Sequence, residues 1–77
     1  MLKPADRRLL KKLGAHLRKL REERELSLRE MSYSCNIDNS KISKIEKGQV
    51  NITFTTLVQL AGALEVEVTE LFEFDME

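Results

Sequence analysis

Apolar residues recur at intervals of three and four along most of the chain, which is the period of an amphipathic helix. The first stripe consists of Leu10, Leu13, Leu17 and Leu20. Because proline suits the first turn of a helix, we expect this helix to begin near Pro4 and to continue to about Arg24. The stripe then ends, which predicts a turn.

The next apolar stripe is short and has clear signals at both ends. The sequence Ser-Leu-Arg-Glu at residues 27–30 is a capping box, in which the Ser27 hydroxyl and the Glu30 carboxylate each accept a backbone hydrogen bond. The helix that it opens should stop near Cys35, because Asn36 tolerates the left-handed conformation that ends a helix. A helix of about eight residues is therefore predicted here.

A second short helix, residues 39–47, should begin after Asp38, which is a good N-cap. Gly48 is expected to close it, since glycine is common at helix C-termini. Ile37 and Ile42 form a hydrophobic staple, which fixes the angle at which the chain enters the helix. Two helices joined by a turn of three or four residues are the geometry that sets a second helix into the major groove of DNA.

The face of this second helix that lies opposite Ile42 and Ile45 is polar and basic. Its side chains are Asn39, Ser40, Ser43, Lys44 and Lys47. A face of this kind is most often an ordinary solvated helix surface. Within a helix-turn-helix over residues 27–47, the same side chains are also suited to hydrogen-bond a nucleic acid, and both interpretations stay open on the pattern alone.

A fourth helix is predicted from about Phe54 to Leu64, with Thr53 as its N-cap. Its expected core face consists of Phe54, Leu57, Leu60, Ala61 and Leu64. Leu71, further along the chain, should complete the core.

The tail, residues 66–77, is acidic and apolar, and a last short helix is expected around Thr69 to Phe72. Val68, Phe72, Phe74 and Met76 exceed what so small a core needs. Because an exposed apolar patch usually marks an association site, we predict that Val68, Phe72 and Phe74 lie at a dimer interface. The alternative is that Phe72 packs inside and the end of the tail frays.

Charge is distributed very unevenly, although the 77 residues carry no net charge. Residues 1–24 contain nine Lys and Arg against three acidic residues, whereas residues 51–77 contain six acidic residues and no Lys or Arg. Such asymmetry orients a molecule toward a polyanion, or it serves solubility alone. The basic extension, residues 1–12, is compatible with a phosphate contact, a contact to a partner subunit, or simply a longer solvated helix.

Composition argues against several other classes of function. With one Cys, one His and three Gly, the chain offers no nucleophile and base set, no metal-ligand cluster and no phosphate-binding glycine loop. We therefore expect no enzyme activity, no metal and no cofactor, and we expect His16 to be a surface side chain. A length of 77 residues predicts a single domain, and the absence of a membrane-spanning run and of a signal peptide predicts a cytoplasmic protein.

From Leu13 to Phe72 the chain resembles the Cro/repressor-type, or XRE-family, helix-turn-helix domain. The matching residues are Leu17, Arg21, Leu26, Ser27, Glu30, Met31, Leu57, Leu60, Ala61, Ala63, Leu64 and, most specifically, the run Ile-Ser-Lys-Ile-Glu-Lys-Gly at residues 42–48. The resemblance implies an all-α fold, a five-helix lambda-repressor-like DNA-binding domain. It also implies a salt bridge between Arg21 and Glu46. Leu28 departs from the glutamine that is usual at that position, so a phosphate contact there falls to backbone N–H groups or to Arg29.

The resemblance further implies a transcriptional regulator that binds double-stranded DNA as a homodimer on a palindromic operator, with recognition helix 39–47 in the major groove. The base contacts expected are Asn39, Ser40, Ser43 and Lys44, and the phosphate contacts expected are Ser27, Arg29, Lys41, Lys47, Gln49, Asn51 and Thr53. A restriction–modification controller or an antitoxin of the same fold, or a protein-interaction module that retains it, are the alternatives. No small-molecule substrate is expected, and the operator and target genes stay open.

Overall fold

The computed structural model describes residues 3–76. All regular secondary structure in that range is helical. Four α-helices, α1 (Pro4–Glu23), α2 (Leu28–Cys35), α3 (Asn39–Glu46) and α4 (Phe54–Leu64), are followed by a 3₁₀ helix (Val68–Phe72). The expected all-α fold of five helical elements is therefore confirmed. α1 packs on α3 and on the 3₁₀ helix, and α2 packs on α3 and α4.

Each of the three predicted N-caps is present. The hydroxyl of Ser27 accepts from the Glu30 amide at 3.0 Å, while the Ser27 amide donates to the Glu30 carboxylate at 2.9 Å. Asp38 caps α3, and Thr53 caps α4. These bonds satisfy amides that a helix start leaves without an intrahelical partner, and they fix where each helix begins.

Left-handed residues end the helices. Asn36 (φ 57°) and Gly48 (φ 70°) follow α2 and α3, as their sequence positions predicted. At Gly48 the two bonds of a Schellman motif are present: its amide donates to the Ile45 carbonyl at 3.0 Å, and the next amide donates to the Lys44 carbonyl at 2.9 Å. Glu65 (φ 58°) ends α4 in the same conformation.

The core lies between the helices and consists of their apolar stripes. It contains Leu13, Leu17, Met31, Cys35, Ile37, Ile42, Ile45, Leu57, Leu60, Ala61, Leu64 and Leu71. The prediction that Phe54 belongs to it was wrong, because that side chain is 67% exposed. Phe54 is the first residue of α4 and lies about 60° around the helix from Leu57, so it projects past the end and the edge of the buried stripe.

The tail packs back on α1. The 3₁₀ helix begins at Val68, one residue before the predicted start, and Leu71 is fully buried. His16, expected on the surface, is half-buried: its Nε2 lies 2.9 Å from the Glu70 carbonyl oxygen, and its ring lies 5.7 Å from that of Phe74. The tail therefore covers a part of α1 that would otherwise face solvent.

α1 and α3 cross at very close range, and Gly14 permits this. A β-carbon at Gly14 would overlap the backbone carbonyl oxygens of Ile45 and Glu46 at the end of α3. The apolar periodicity did not predict this crossing, because glycine has no side chain and so contributes nothing to an apolar stripe. The position of α3 relative to α1 therefore depends on the absence of a β-carbon at Gly14.

We predict opposite signs for two glycine substitutions within helices. Gly14→Ala should destabilise the fold by about 1–3 kcal/mol, because the added methyl forces α1 and α3 apart. Gly62→Ala should stabilise it by about 0.5–1 kcal/mol, since the new β-carbon meets no atom within 4 Å beyond the local backbone of its own helix and alanine favours the helix. Urea denaturation followed by circular dichroism measures both. Stabilisation by both substitutions would show that the crossing is looser than described.

Candidate nucleic-acid interface

α2 and α3 are joined by three residues, 36–38, as a helix-turn-helix requires. Asn36 reverses the chain in the left-handed conformation, and Ile37 is buried beside the fully buried Ile42. The Asp38 carboxylate then accepts the Ser40 amide at 3.1 Å. This combination of staple and N-cap sets the direction in which α3 leaves the turn.

A buried ion pair holds the C-terminal end of α3 against α1. Arg21 Nε donates to Glu46 Oε2 at 2.7 Å, and Arg21 Nη2 donates to Glu46 Oε1 at 3.0 Å. Arg21 Nη1 donates to the Leu26 carbonyl oxygen at 2.7 Å. The salt bridge that the resemblance implied is thus present, and it includes the α1–α2 loop through a third bond.

Burial makes this pair consequential. Only 9% of the Arg21 surface is exposed. Its hydrogen bond to Glu46 raises the pKa of the guanidinium above its ordinary value, against the opposing effect of burial. A paired, buried guanidinium of this kind tolerates few orientations, because loss of the carboxylate would leave a charge in the interior. α3 is therefore held at both of its ends.

The outward face of α3 carries the predicted base contacts. Ser40 and Lys44 are exposed, whereas Asn39 and Ser43 are half-buried. Two further lysines, Lys41 and Lys47, are exposed at the sides of the helix. Within residues 3–76, neither the two lysines of α3 nor its C-cap Lys47 forms an ion pair, so their charges are available to an external anion.

One predicted contact is already engaged. The Ser40 hydroxyl donates to the Asp38 carboxylate, and this bond, with the Ser40 amide, lowers the pKa of Asp38, to which Lys44 adds a smaller effect. Ser40 therefore presents acceptor lone pairs, and not its proton, to a ligand.

The predicted phosphate contacts differ in which of their hydrogen-bonding atoms are still free to bind a ligand. The oxygens of Ser27 and Thr53 accept the helix-capping amides, and Asn51 Oδ1 accepts the Ile52 amide at 2.9 Å, which leaves the Asn51 NH₂ as a donor. Arg29 and Gln49 are exposed. Neither side chain has a hydrogen-bond partner in the described part of the chain. The strongest remaining donors are thus the charged and amide side chains.

Leu28 packs partly against the core, which agrees with its omission from the predicted contacts. The sequence reasoning missed Arg24, whose Nε donates to the Leu64 carbonyl oxygen at 2.7 Å and so satisfies a carbonyl at the end of α4. It also missed the role of Gly14. An arginine near a helix end is a weak sequence signal for a bond to a terminal carbonyl. A single glycine such as Gly14 gives no sequence signal for a close helix crossing.

Residues 3–76 lack both a metal-ligand cluster and a membrane-spanning helix. No group of three or more His, Cys, Asp or Glu side chains is arranged to hold a metal ion. No helix in the same range has the length and apolarity that crossing a bilayer requires.

Comparison with known proteins places residues 12–74 in a family model described as a helix-turn-helix domain. The chain is 36% identical over 62 residues to the HTH-type transcriptional regulator DdrOP3 of Deinococcus deserti, an alignment that covers 80% of this chain and 48% of the regulator. The chain thus spans about half the length, or less, of the curated relatives it matches.

Solved structures share the fold. The restriction–modification controller protein C.AhdI from Aeromonas hydrophila superposes with a TM-score of 0.80 and 36% identity, covering 82% of this chain and 96% of that chain. The controller protein C.Esp1396I, as a tetramer in complex with its natural 35 base-pair operator, superposes with a TM-score of 0.78 and 32% identity, covering 84% and 86% of the two chains.

The buried pair and an exposed pair provide a matched test of what holds α3. Glu46→Gln should destabilise the fold by about 3 kcal/mol or more, because the Arg21 charge stays buried without its partner. Glu22→Gln removes the equivalent carboxylate from the exposed Arg18–Glu22 pair, whose Nε to Oε2 distance is 3.1 Å, and should cost no more than about 0.5 kcal/mol.

Urea denaturation of both variants measures the difference, and Arg21→Met/Glu46→Leu, which removes both buried charges, should recover much of the loss. Similar midpoints for the two single variants would contradict the role given to the buried pair.

Proposed function

The chain belongs to the helix-turn-helix domain family, and from that membership we propose that it is a sequence-specific, double-stranded DNA-binding transcriptional regulator, repressor-like in action. The observation that carries the proposal is that the exposed lysines of α3 and of its C-cap, Lys41, Lys44 and Lys47, have no ion-pair partner in the described residues, while the helix itself is fixed by a buried pair. We propose that it acts in the cytoplasm, as a binding protein with no catalytic step and no cofactor.

In this proposal α3 lies in the major groove and reads base edges. Asn39 is suited to pair bidentately with adenine, and Lys44 is suited to donate to the O6 and N7 of guanine. Ser43 adds a hydroxyl of either polarity, while Ser40 acts as an acceptor because its proton is bonded to Asp38. Each good base contact contributes about 1–3 kcal/mol of discrimination against a wrong base.

Phosphate contacts supply the rest of the affinity. They come from Arg29, Lys41, Lys47, Gln49, the Asn51 amide and, more weakly, the capping hydroxyls of Ser27 and Thr53. Such contacts position the protein without reading sequence, and those of the lysines and Arg29 release counterions, so the affinity falls as salt rises.

We propose a homodimer that binds an inverted repeat, with two copies of α3 about one helical turn, or about 34 Å, apart. The related controller that was solved as a tetramer on its operator supports an oligomeric mode of binding. Of the three predicted interface residues, Val68 and Phe74 are half-buried against the core and Phe72 is 38% exposed. Phe72 is thus the side chain with most to gain from a partner.

A controller protein of a restriction–modification system is the second candidate. It is favoured by the similarity to C.AhdI, which extends over 96% of that chain, whereas the similarity to the DdrOP3 regulator extends over 48%. Both candidates require the same DNA-binding surface.

Selection of bound sequences from a random duplex library, with purified protein at two salt concentrations, tests the proposed function. Recovery of an inverted repeat is the expected result. Binding without enrichment that disappears as salt rises would leave only the sequence-independent phosphate term. In that case a protein-interaction role for the fold would replace the proposal.

We predict that Lys44→Ala weakens binding to the selected duplex more than Arg8→Ala does. The loss for Lys44→Ala should be about tenfold to a hundredfold on the selected duplex and much smaller on random duplex, because a base contact is lost. Fluorescence anisotropy with both duplexes measures this. Equal losses for the two variants on both duplexes would contradict the assignment of α3 as the recognition helix.

We predict that Phe72→Ser shifts the protein toward monomer, as measured by sedimentation velocity. Tyr33→Ser is the control, since Tyr33 is a more exposed aromatic residue, at 77%, on α2. A monomer–dimer distribution that Tyr33→Ser changes and Phe72→Ser does not would place the interface elsewhere.

A further inference from the structure

The first two turns of α1 lie outside the segment that the family model matches. That match begins at residue 12, whereas α1 begins at Pro4 and is continuous to Glu23. The added turns carry Arg7, Arg8 and Lys11, all exposed. Within residues 3–76, none of these three side chains has an ion-pair partner.

Two contacts show where the added turns lie. A β-carbon at Gly48 would come within 2.6 Å of the backbone of Lys11 and 2.7 Å of its Cγ, so α1 runs directly over the turn that ends α3. Asn51 lines the same groove as Asp6 and Leu10 of α1, a groove of about 330 Å³. The loop after α3 therefore runs alongside the extension, from Lys11 toward the start of α1.

The side of α1 that lies over Gly48 carries Lys11, whereas Asp6 and Leu10 line the groove beside Asn51. Arg7 precedes Lys11 by four residues, so it lies one turn earlier on the side that contacts Gly48. Arg8 is about 100° further around the helix, where it borders a cleft with Met76 of the tail. Neighbouring arginines thus face different parts of the molecule, one toward the loop and one toward the tail.

We propose that Arg7 and Lys11 form a second phosphate-binding surface, which holds the DNA backbone beside the segment read by α3. This inference rests on the proposed function, because the ligand is the backbone of the same duplex. The loop that the two side chains flank carries Gln49 and Asn51, whose exposed amides are proposed to contact phosphate. The two cations extend that row of donors onto α1. Their ligand is a polyanion, and they read no sequence.

The test compares two double variants that remove the same charge. Arg7→Gln/Lys11→Gln removes the proposed contacts, and glutamine keeps the γ carbon that Lys11 places against Gly48. Arg8→Gln/Lys19→Gln is the control, because Lys19 follows Arg8 by eleven residues, three turns further along the same side of α1. Binding of the full chain to the selected inverted repeat and to a random duplex of equal length is measured by fluorescence anisotropy from 0.05 to 0.3 M salt.

Each lost phosphate contact should reduce the slope of log affinity against log salt by about 0.9. The Arg7/Lys11 variant should therefore lose about 2 from the slope, and its affinity should fall by roughly tenfold to fiftyfold at 0.1 M salt on both duplexes alike. The control should keep a slope within about 0.5 of the wild type.

Equal slopes for the two double variants would overturn the inference, since only net charge would then matter. An unchanged slope for Arg7→Gln/Lys11→Gln would also overturn it, and if the wild type still prefers the selected repeat, the proposed function stands. A wild type that binds neither duplex would overturn the function and the inference together. Circular dichroism of each variant establishes that the fold is kept.

Discussion

The buried ion pair between Arg21 and Glu46 is the constraint on which the packing of α3 depends. A guanidinium removed from water is costly unless a carboxylate and further acceptors meet it, and here Glu46 and the Leu26 carbonyl do so. Because both bonds to Glu46 must be kept, α3 has little freedom to rotate or slide along α1. The direction of the outward face of α3, and hence what that face can bind, follows from this pairing.

Local features of the fold could be predicted from the sequence, and long-range ones only where a resemblance supplied them. The caps of α2, α3 and α4 depend on hydrogen bonds between residues two or three apart, so the identities of Ser27, Asp38 and Thr53 were sufficient. The closeness of α1 and α3 depends on Gly14 facing a backbone 31 and 32 residues away, which periodicity does not report. Phe54 was misplaced for a similar reason, because the stripe does not show where the core stops.

The candidate site was predictable in its position and less so in its chemistry. Helical periodicity placed the polar side chains of α3 on one face, where the structure also has them. It did not reveal which of their hydrogen-bonding atoms are already used. Residues that make good caps have the same short polar side chains that make good phosphate contacts. In Ser27 and Thr53 the hydroxyl oxygen already accepts a backbone amide of the helix that it caps. Lysine ammonium groups do not face this competition, and Asn51 keeps its NH₂ as a donor although its Oδ1 accepts the Ile52 amide.

Two helices end on a glutamate in the left-handed conformation, α1 at Glu25 and α4 at Glu65. A side chain in that conformation costs about 1–2 kcal/mol, and a negative charge at a helix C-terminus is opposed by the helix dipole. Arg24 joins these two ends, since its Nη1 donates to the Leu20 carbonyl and its Nε to the Leu64 carbonyl. The ends of α1 and α4 therefore share one side chain, and unravelling of either end breaks the bond that Arg24 makes to it.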